Sequence, residues 1–222
     1  WYASLRFNPS NQLQSYLDDS GSSGFVTNAT NAVFRDTSAW YHVVWAVDSP
    51  NSTAANRVKL YVNGVEQSYT GGNIQQDGIF PINSASIAHS IGMRLYNSTD
   101  KLNGYLADIH LIDGQALDPT SFGEYDSNNV WQPKEYSGTY GTNGFHLDFS
   151  NNSSAAALGE DSSGNGNNWA AFNLTAGSSY LLPAVEFDGT GDYLDLANNA
   201  VLTPSGDFTI EFFAYVSNSS GI

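Results

Sequence analysis

A nearly all-β chain is predicted by three observations. Short runs rich in Val, Ile, Phe, Tyr and Trp alternate with polar residues and are punctuated by Gly, Asn, Asp and Ser. Asn63-Gly64 separates two such runs, and Asn and Gly both tolerate the positive φ that a two-residue hairpin turn needs. Helix signals are scarce, although the 222 residues carry 12 Phe, 13 Tyr and 5 Trp, enough to fill the core of one large or two small β-domains.

Taken in order, the apolar alternation predicts strands at Ala3–Phe7, Gln12–Leu17, Ala32–Arg35, Tyr41–Val47, Val58–Val62 with Val65–Gln67, Ser86–Ile91 and Gly104–Ile112. Further strands are predicted at Phe145–Phe149, Val185–Asp188, Tyr193–Leu196 and Phe208–Val216. One short helical turn is expected at Asp118–Glu124, because Asp118 is able to cap and Pro119 then occupies the first helical position. Between about Asp126 and Ala184 the texture changes to turn formers without periodic apolar positions, as in Tyr136–Gly144 and Glu160–Asn168. This reads as long ordered loops or a connector, and Trp131, Phe145, Leu147, Phe149 and Trp169 within it argue that parts of it pack.

The charge balance is acidic: 22 Asp+Glu against 7 Lys+Arg, a net charge of −15. From Glu135 to Ile222 there are ten acids and no Lys or Arg. A nucleic-acid or anionic-membrane partner is therefore not expected, since both require cations to neutralise phosphate. With no Cys there is no disulfide framework, Cys-ligated zinc or thiol nucleophile. No apolar run approaches the ~18–20 residues of a membrane span, so membrane insertion is not expected. The first residue is Trp1 rather than Met, and no signal sequence is visible, which suggests a piece of a longer chain.

Two stretches together resemble a known family. Trp40-Tyr-His-Val-Val-Trp-Ala-Val-Asp48, Val58-Lys-Leu-Tyr-Val-Asn-Gly-Val65 and Leu102-Asn-Gly-Tyr-Leu-Ala-Asp-Ile-His-Leu-Ile112 resemble the second half of a laminin-G-like, concanavalin-A-like module. Phe187-Asp-Gly-Thr-Gly-Asp-Tyr-Leu-Asp-Leu196 and Gly206-Asp-Phe-Thr-Ile-Glu-Phe-Phe-Ala-Tyr-Val216 resemble the first half. The segments at 145–149 and 161–168 are similar to those ahead of such modules in tail-fibre or appendage proteins of marine bacteriophages and in bacterial surface proteins. The resemblance implies an antiparallel jelly-roll β-sandwich with a loop-rich connector.

In this chain the closing strands precede the opening strands. The expected division is 1–126 as the closing half of a sandwich, 127–184 as the connector, and 185–222 as opening strands of the same, a tandem or a neighbouring module. Three explanations stand open: two partial neighbours of a tandem array, one period of a repeating fibre, or strand exchange between subunits. Under each, Phe208, Ile210, Phe212 and Ala214 on one strand face need a partner, because a half sandwich exposes its inner face. Trp1 then reads as a cut inside a sandwich.

The resemblance also raises glycosidase chemistry, since β-glucanases share the fold. Their retaining mechanism sets two carboxylates ~5–5.5 Å apart on one strand through an E-x-D-x-x-E pattern. Glu124-Tyr-Asp126 and Glu186-Phe-Asp188 begin that way, but neither supplies the second Glu, so no catalytic residue is assigned. No G-x-S-x-G elbow is present. His42, His89, His110 and His146 are dispersed with no metal-ligand spacing, and His42 and His110 fall in predicted strands, where a structural role is the expectation.

Calcium is the cofactor that the resemblance suggests, held at a sandwich edge by oxygen ligands. Asp161, Asn165 and Asn167 in one Gly-spaced loop, and Asp188 and Asp192 in another, are the candidates. Loops of Asx turns satisfied by their own backbone are the alternative. For glycan binding, the candidate loop aromatics are Tyr136, Tyr140 and Trp169. The expectation is a non-catalytic structural and adhesive module at an extracellular or virion surface. Its partners would be other copies, neighbouring fibre modules and cell-surface glycans; the alternative is a carbohydrate-active enzyme or its binding module.

Overall fold

The computed structural model describes residues 3–18, 25–78, 80–82, 88–94, 100–176, 183–196 and 206–217. Trp1 and the first two residues of the strand expected at Ser86–Ile91 lie outside these.

The described residues form strands β1 (Ala3–Phe7), β2 (Leu13–Asp18), β3 (Phe25–Thr30), β4 (Tyr41–Val47), β5 (Val58–Val62), β6 (Val65–Glu66), β7 (Tyr69–Gly71) and β8 (His89–Ile91). They continue with β9 (Asn103–Asp113), β10 (Gly123–Tyr125), β11 (Trp131–Pro133), β12 (Phe145–Leu147), β13 (Ala170–Phe172), β14 (Val185–Asp188), β15 (Tyr193–Leu196) and β16 (Phe208–Val216). Among the described residues helix is limited to single 3₁₀ turns such as Pro119–Ser121, where Asp118 Oδ1 accepts the Thr120 N–H as the sequence predicts.

The main sheet runs β12-β9-β16-β4-β5-β6, and β14 adds to the same edge of β9 as β12. Facing it is a four-stranded sheet, β1-β2-β3-β7. Smaller sheets, β13-β15-β8 and β10-β11, complete the architecture. The pairings are antiparallel throughout. This is the predicted all-β jelly-roll sandwich.

The strand expected to need a partner finds it inside the chain. β16 lies between β4 and β9, pairing Phe208–Ala214 with Val47–Tyr41 on one side and Phe208–Val216 with Asp113–Gly104 on the other. Strands remote in sequence thus meet at the centre of one sheet. Phe208, Ala214, Val43, Trp45, Val47, Leu13 and Leu17 are buried together between the two large sheets, with Ile210 and Phe212 packed against them. At about 25 cal/mol per Å² of buried apolar surface, such a dual-sheet core is the main stabilising term.

All seven residues of β4 are buried, so both faces of the main sheet are covered at its middle. Alternation sends Tyr41, Val43, Trp45 and Val47 into the core between the sheets. The opposite face carries His42 and Val44. A second apolar cluster of Val44, Ile112 and Phe122 forms there beneath Tyr61, Leu117, Tyr136 and Tyr140. The connector therefore supplies an outer layer. Its β11 brings Trp131 against His42, and β12 extends the sheet edge.

The predicted hairpin is present: Val62 pairs with Val65, and Asn63 and Gly64 have φ of 50° and 77°. The strand predicted at Ala32–Arg35 is not. The strand is instead Phe25–Thr30, which pairs β2 and β7, whereas residues 32–35 run without regular structure so that Phe34 packs edge-on against Phe7 and Tyr41. Phe25–Thr30 is masked in sequence by its polar residues, and Ala32-Val33-Phe34 mimics a strand because its aromatic end caps the sandwich.

Candidate functional site

The register of three strands sets up a row of ionisable side chains on the outer face of the main sheet. His146 of β12 lies opposite His110 of β9, which lies opposite Glu211 of β16. One strand further, His42 of β4 lies opposite Phe213, diagonal to Glu211. The result is a connected network under the connector.

Glu211 is at its centre and is wholly buried, at 0% exposure. Its Oε1 lies 2.9 Å from His42 Nε2, and its Oε2 lies 3.6 Å from His110 Nε2. The indole N–H of Trp131 donates to His42 Nδ1 at 2.8 Å. Because an indole nitrogen is a donor only, His42 Nδ1 is unprotonated and its proton sits on Nε2, facing Glu211. The His42 ring is further held by stacking on Phe213, 4.6 Å between centroids.

Asp108 joins the other end of the row. Its Oδ1 is 2.6 Å from His146 Nε2 and 3.3 Å from His110 Nε2. It is brought there by a bulge: the pairing of β16 with β9 shifts between Glu211 and Phe213, and Asp108 has φ of 52°. Leu106 and Ile109 both enter the core, so two residues, Ala107 and Asp108, occupy the interval where an unbroken pleat has one pointing away. The bulge reverses the parity of the strand and so carries His110 outward next to Asp108. Asp tolerates left-handed φ better than most residues, which suits it to the position.

The far nitrogens of both histidines meet hydroxyls. His110 Nδ1 lies 3.0 Å from Tyr140 Oη, and His146 Nδ1 lies 3.0 Å from Ser162 Oγ. The two imidazoles are stacked, 3.9 Å apart and inclined by 16°.

Burial dominates the electrostatics. It pushes the Glu211 carboxyl well above the usual range, with Asp108 adding repulsion. It lowers His42 to about 4 and lowers His110 as well. Burial also acts to raise Asp108, but hydrogen bonds and charge from His110 and His146 outweigh it and hold that carboxyl below its ordinary value. The network is therefore built of neutral groups at one end and an ionised Asp at its open end, where the Asp108 side chain is 41% exposed.

The structure disperses the residues singled out by sequence. Tyr140 is hydrogen-bonded into the network, and Tyr136 packs on Phe122 above it. Trp169 is buried, edge-on to Phe145, and lines an apolar cavity of about 470 Å³ between the sheets, on the other side of the main sheet from Tyr136 and Tyr140. Asp161 Oδ1 accepts the N–H groups of His146 and Ser163, and Oδ2 accepts that of Asn167. Asn165 and Asn167 turn their amide N–H donors to Gly144 O. These three do not fit a cradle of six to eight oxygens for calcium; they tie the connector to β12. In the second loop, Asp188 accepts from Thr190 N–H, and Asp192 Oδ2 accepts the Asp188 N–H.

Sequence spacing missed the His42–Glu211–His110–Asp108–His146 network because its members come from four strands. One signal was available. Glu211 stands alone in Phe208-Thr-Ile-Glu-Phe-Phe-Ala-Tyr-Val216, and a carboxylate inside a strand that apolar needs a buried partner.

The comparisons with known proteins bear on residues 2–121, which match a laminin-G-like family model described as the concanavalin A-like lectin/glucanases superfamily. No curated protein and no solved structure shows a significant match. The matched region holds β4, the Asn63-Gly64 hairpin and β9, and with them His42, Asp108 and His110. By that match, over more than half of its length, and by its sandwich, the chain belongs to the concanavalin A-like lectin/glucanase superfamily.

Proposed function

We propose that the chain is a non-catalytic structural and adhesive module of an extracellular fibre or virion appendage that recognises glycans through loops at a sandwich edge. The observation that carries the non-catalytic part is the sealing of the ionisable network. His42 and Glu211 are each 1% exposed and His110 is 3% exposed at their side chains, under Trp131, Phe122 and Tyr140, so a polysaccharide has no path to Glu211. Superfamily membership supports the carbohydrate-binding part. Calcium enters the proposal at Asp188 and Asp192, two carboxylates of one loop.

A glycan array probed with and without calcium tests this reading. Binding to a defined glycan class, weakened by Tyr136→Ala or by chelation, is expected; no binding under either condition removes the adhesive role. Negative-stain images of the concentrated protein test the fibre: end-to-end assemblies support it, and dispersed monomers at every concentration oppose it.

One observation favours the alternative of a carbohydrate-active enzyme, which would require the cover of Trp131, Phe122 and Tyr140 to open over Glu211. Asp108 and Glu211 have their carboxyl pKa values pushed in opposite directions, as an ionised carboxylate and a protonated acid require. Polysaccharide turnover abolished by both Glu211→Gln and Asp108→Asn would establish that alternative.

A further inference from the structure

We propose that Asp108, His110 and His146 form a binding site for a divalent first-row transition ion of the zinc class, separate from any edge calcium and independent of glycan recognition. One ligand atom from each lies within 4.8 Å of those of the other two. Two imidazole nitrogens with one carboxylate suit zinc, cobalt or nickel, whereas calcium and magnesium favour all-oxygen sets.

The hydrogen bonding around the histidines prepares them as ligands. Ser162 Oγ lies 3.1 Å from the His146 carbonyl as well as 3.0 Å from His146 Nδ1. A hydroxyl has one proton; donated to the carbonyl, it leaves Oγ to accept from Nδ1–H, and the lone pair of a neutral His146 is then on Nε2. That nitrogen lies 2.6 Å from Asp108 Oδ1, a hydrogen-bond separation bridged by a proton; an ion with bonds of about 2 Å to both atoms would take the proton's place as the two move apart. Tyr140 Oη is able to accept from His110 Nδ1 in the same way and turn its Nε2 toward the same oxygen. A hydroxyl behind each ligating imidazole is the outer-shell arrangement that fixes ring orientation at metal sites.

A second, independent feature points to a cation. Glu211 is fully buried, neither of its carboxylate oxygens has a hydrogen bond of good geometry among the described residues, and its Oε2 is aimed into the site, 3.6 Å from His110 Nε2, the nitrogen that also faces Asp108. A positive ion at His110 Nε2 would therefore also lie near a buried carboxyl that lacks a good donor. Access is available, because Asp108 is 41% and His146 19% exposed at the side chain. Occupancy requires the stacked rings to splay, since a metal lies in the plane of each ligating imidazole, and the half-buried His146, 19% exposed against 3% for His110, has more room to turn.

Cobalt(II) titration of the chelator-treated chain at neutral pH, followed by visible absorption, tests the site. One equivalent should bind with ligand-field bands that zinc displaces. His146→Gln and Asp108→Asn should each weaken binding at least roughly tenfold, while His89→Gln leaves it unchanged. In the unaltered protein, zinc should shift the imidazole ¹⁵N resonances of His110 and His146 and leave those of His89 in place, a readout that does not depend on any variant folding. No saturable binding up to about 1 mM, equal binding by the His146→Gln variant, or shifts confined to His89 would overturn the proposal.

Discussion

Single residues decide how this sheet tolerates charge. His42 holds its proton on Nε2 because Trp131 occupies Nδ1, and burial lowers its pKa to about 4. An unfolded chain with a histidine near 6.5 binds the proton that the native His42 refuses, so native stability is lost as pH falls from 6.5 toward 4, by on the order of 3 kcal/mol for this residue. His110, also lowered, acts in the same sense. Glu211, raised by burial, acts in the opposite sense: its contribution is present below about 4.5 and is lost as pH rises through the elevated value. Between pH 4.5 and 6.5 the two histidines favour the native state as pH rises, and Glu211 opposes them. Urea melts should therefore show stability rising from pH 4.5 to 6.5, and Glu211→Gln should steepen that rise. A wild-type profile flat from pH 4.5 to 6.5 would contradict this account. None of it was legible in sequence, where His42 and His110 read as isolated strand residues and only the lone acid of Phe208–Val216 hinted at a buried pair.

At the scale of elements, the Asn63-Gly64 hairpin and the connector are coupled. Gly64 has φ of 77°, and a Cβ there would overlap the indole of Trp131, whose N–H holds His42. The turn was evident from its two residues, since few others accept positive φ in succession. Its second role, as the floor for Trp131, was not, because the two lie 67 positions apart in the chain. Gly64→Ala should cost about 2–4 kcal/mol, the left-handed penalty plus overpacking against the ring, and should move the Trp131 fluorescence. A loss near 1 kcal/mol with unchanged fluorescence would mean that only the turn is strained. The bulge at Asp108 teaches the same lesson: periodicity located β9 to within a residue at each end, yet the extra residue that reverses its parity leaves no mark in an apolar pattern.

Across the whole molecule, β16 is the element on which the sheet depends. It joins β4, from the first quarter of the chain, to β9 and is buried against both the core and the network. Phe208 is 1% exposed and edge-on to Trp45, so Phe208→Ala should destabilise by about 3–5 kcal/mol. Phe172, 40% exposed on the small sheet, should cost well under that when changed to Ala. Native-state hydrogen exchange should place the amides of β16 and β4 among the slowest, exchanging only on global unfolding. Faster exchange in β16 than in β1 would show that the sheet opens there first.

The amino-acid order by itself determined the fold class, most strand positions, the hairpin and the superfamily resemblance, because alternation, turn chemistry and local motifs are written in neighbouring residues. It also determined that Phe208–Val216 needs a partner, since that face is too apolar to stay in water. Only the tertiary structure decided which partner, placing β16 between β4 and β9, since strand pairing is a choice among distant segments that local pattern does not rank. Likewise it alone assembled His42, Asp108, His110, His146 and Glu211: four strands and one bulge bring into contact residues up to 169 positions apart, and no spacing rule along a chain encodes that proximity.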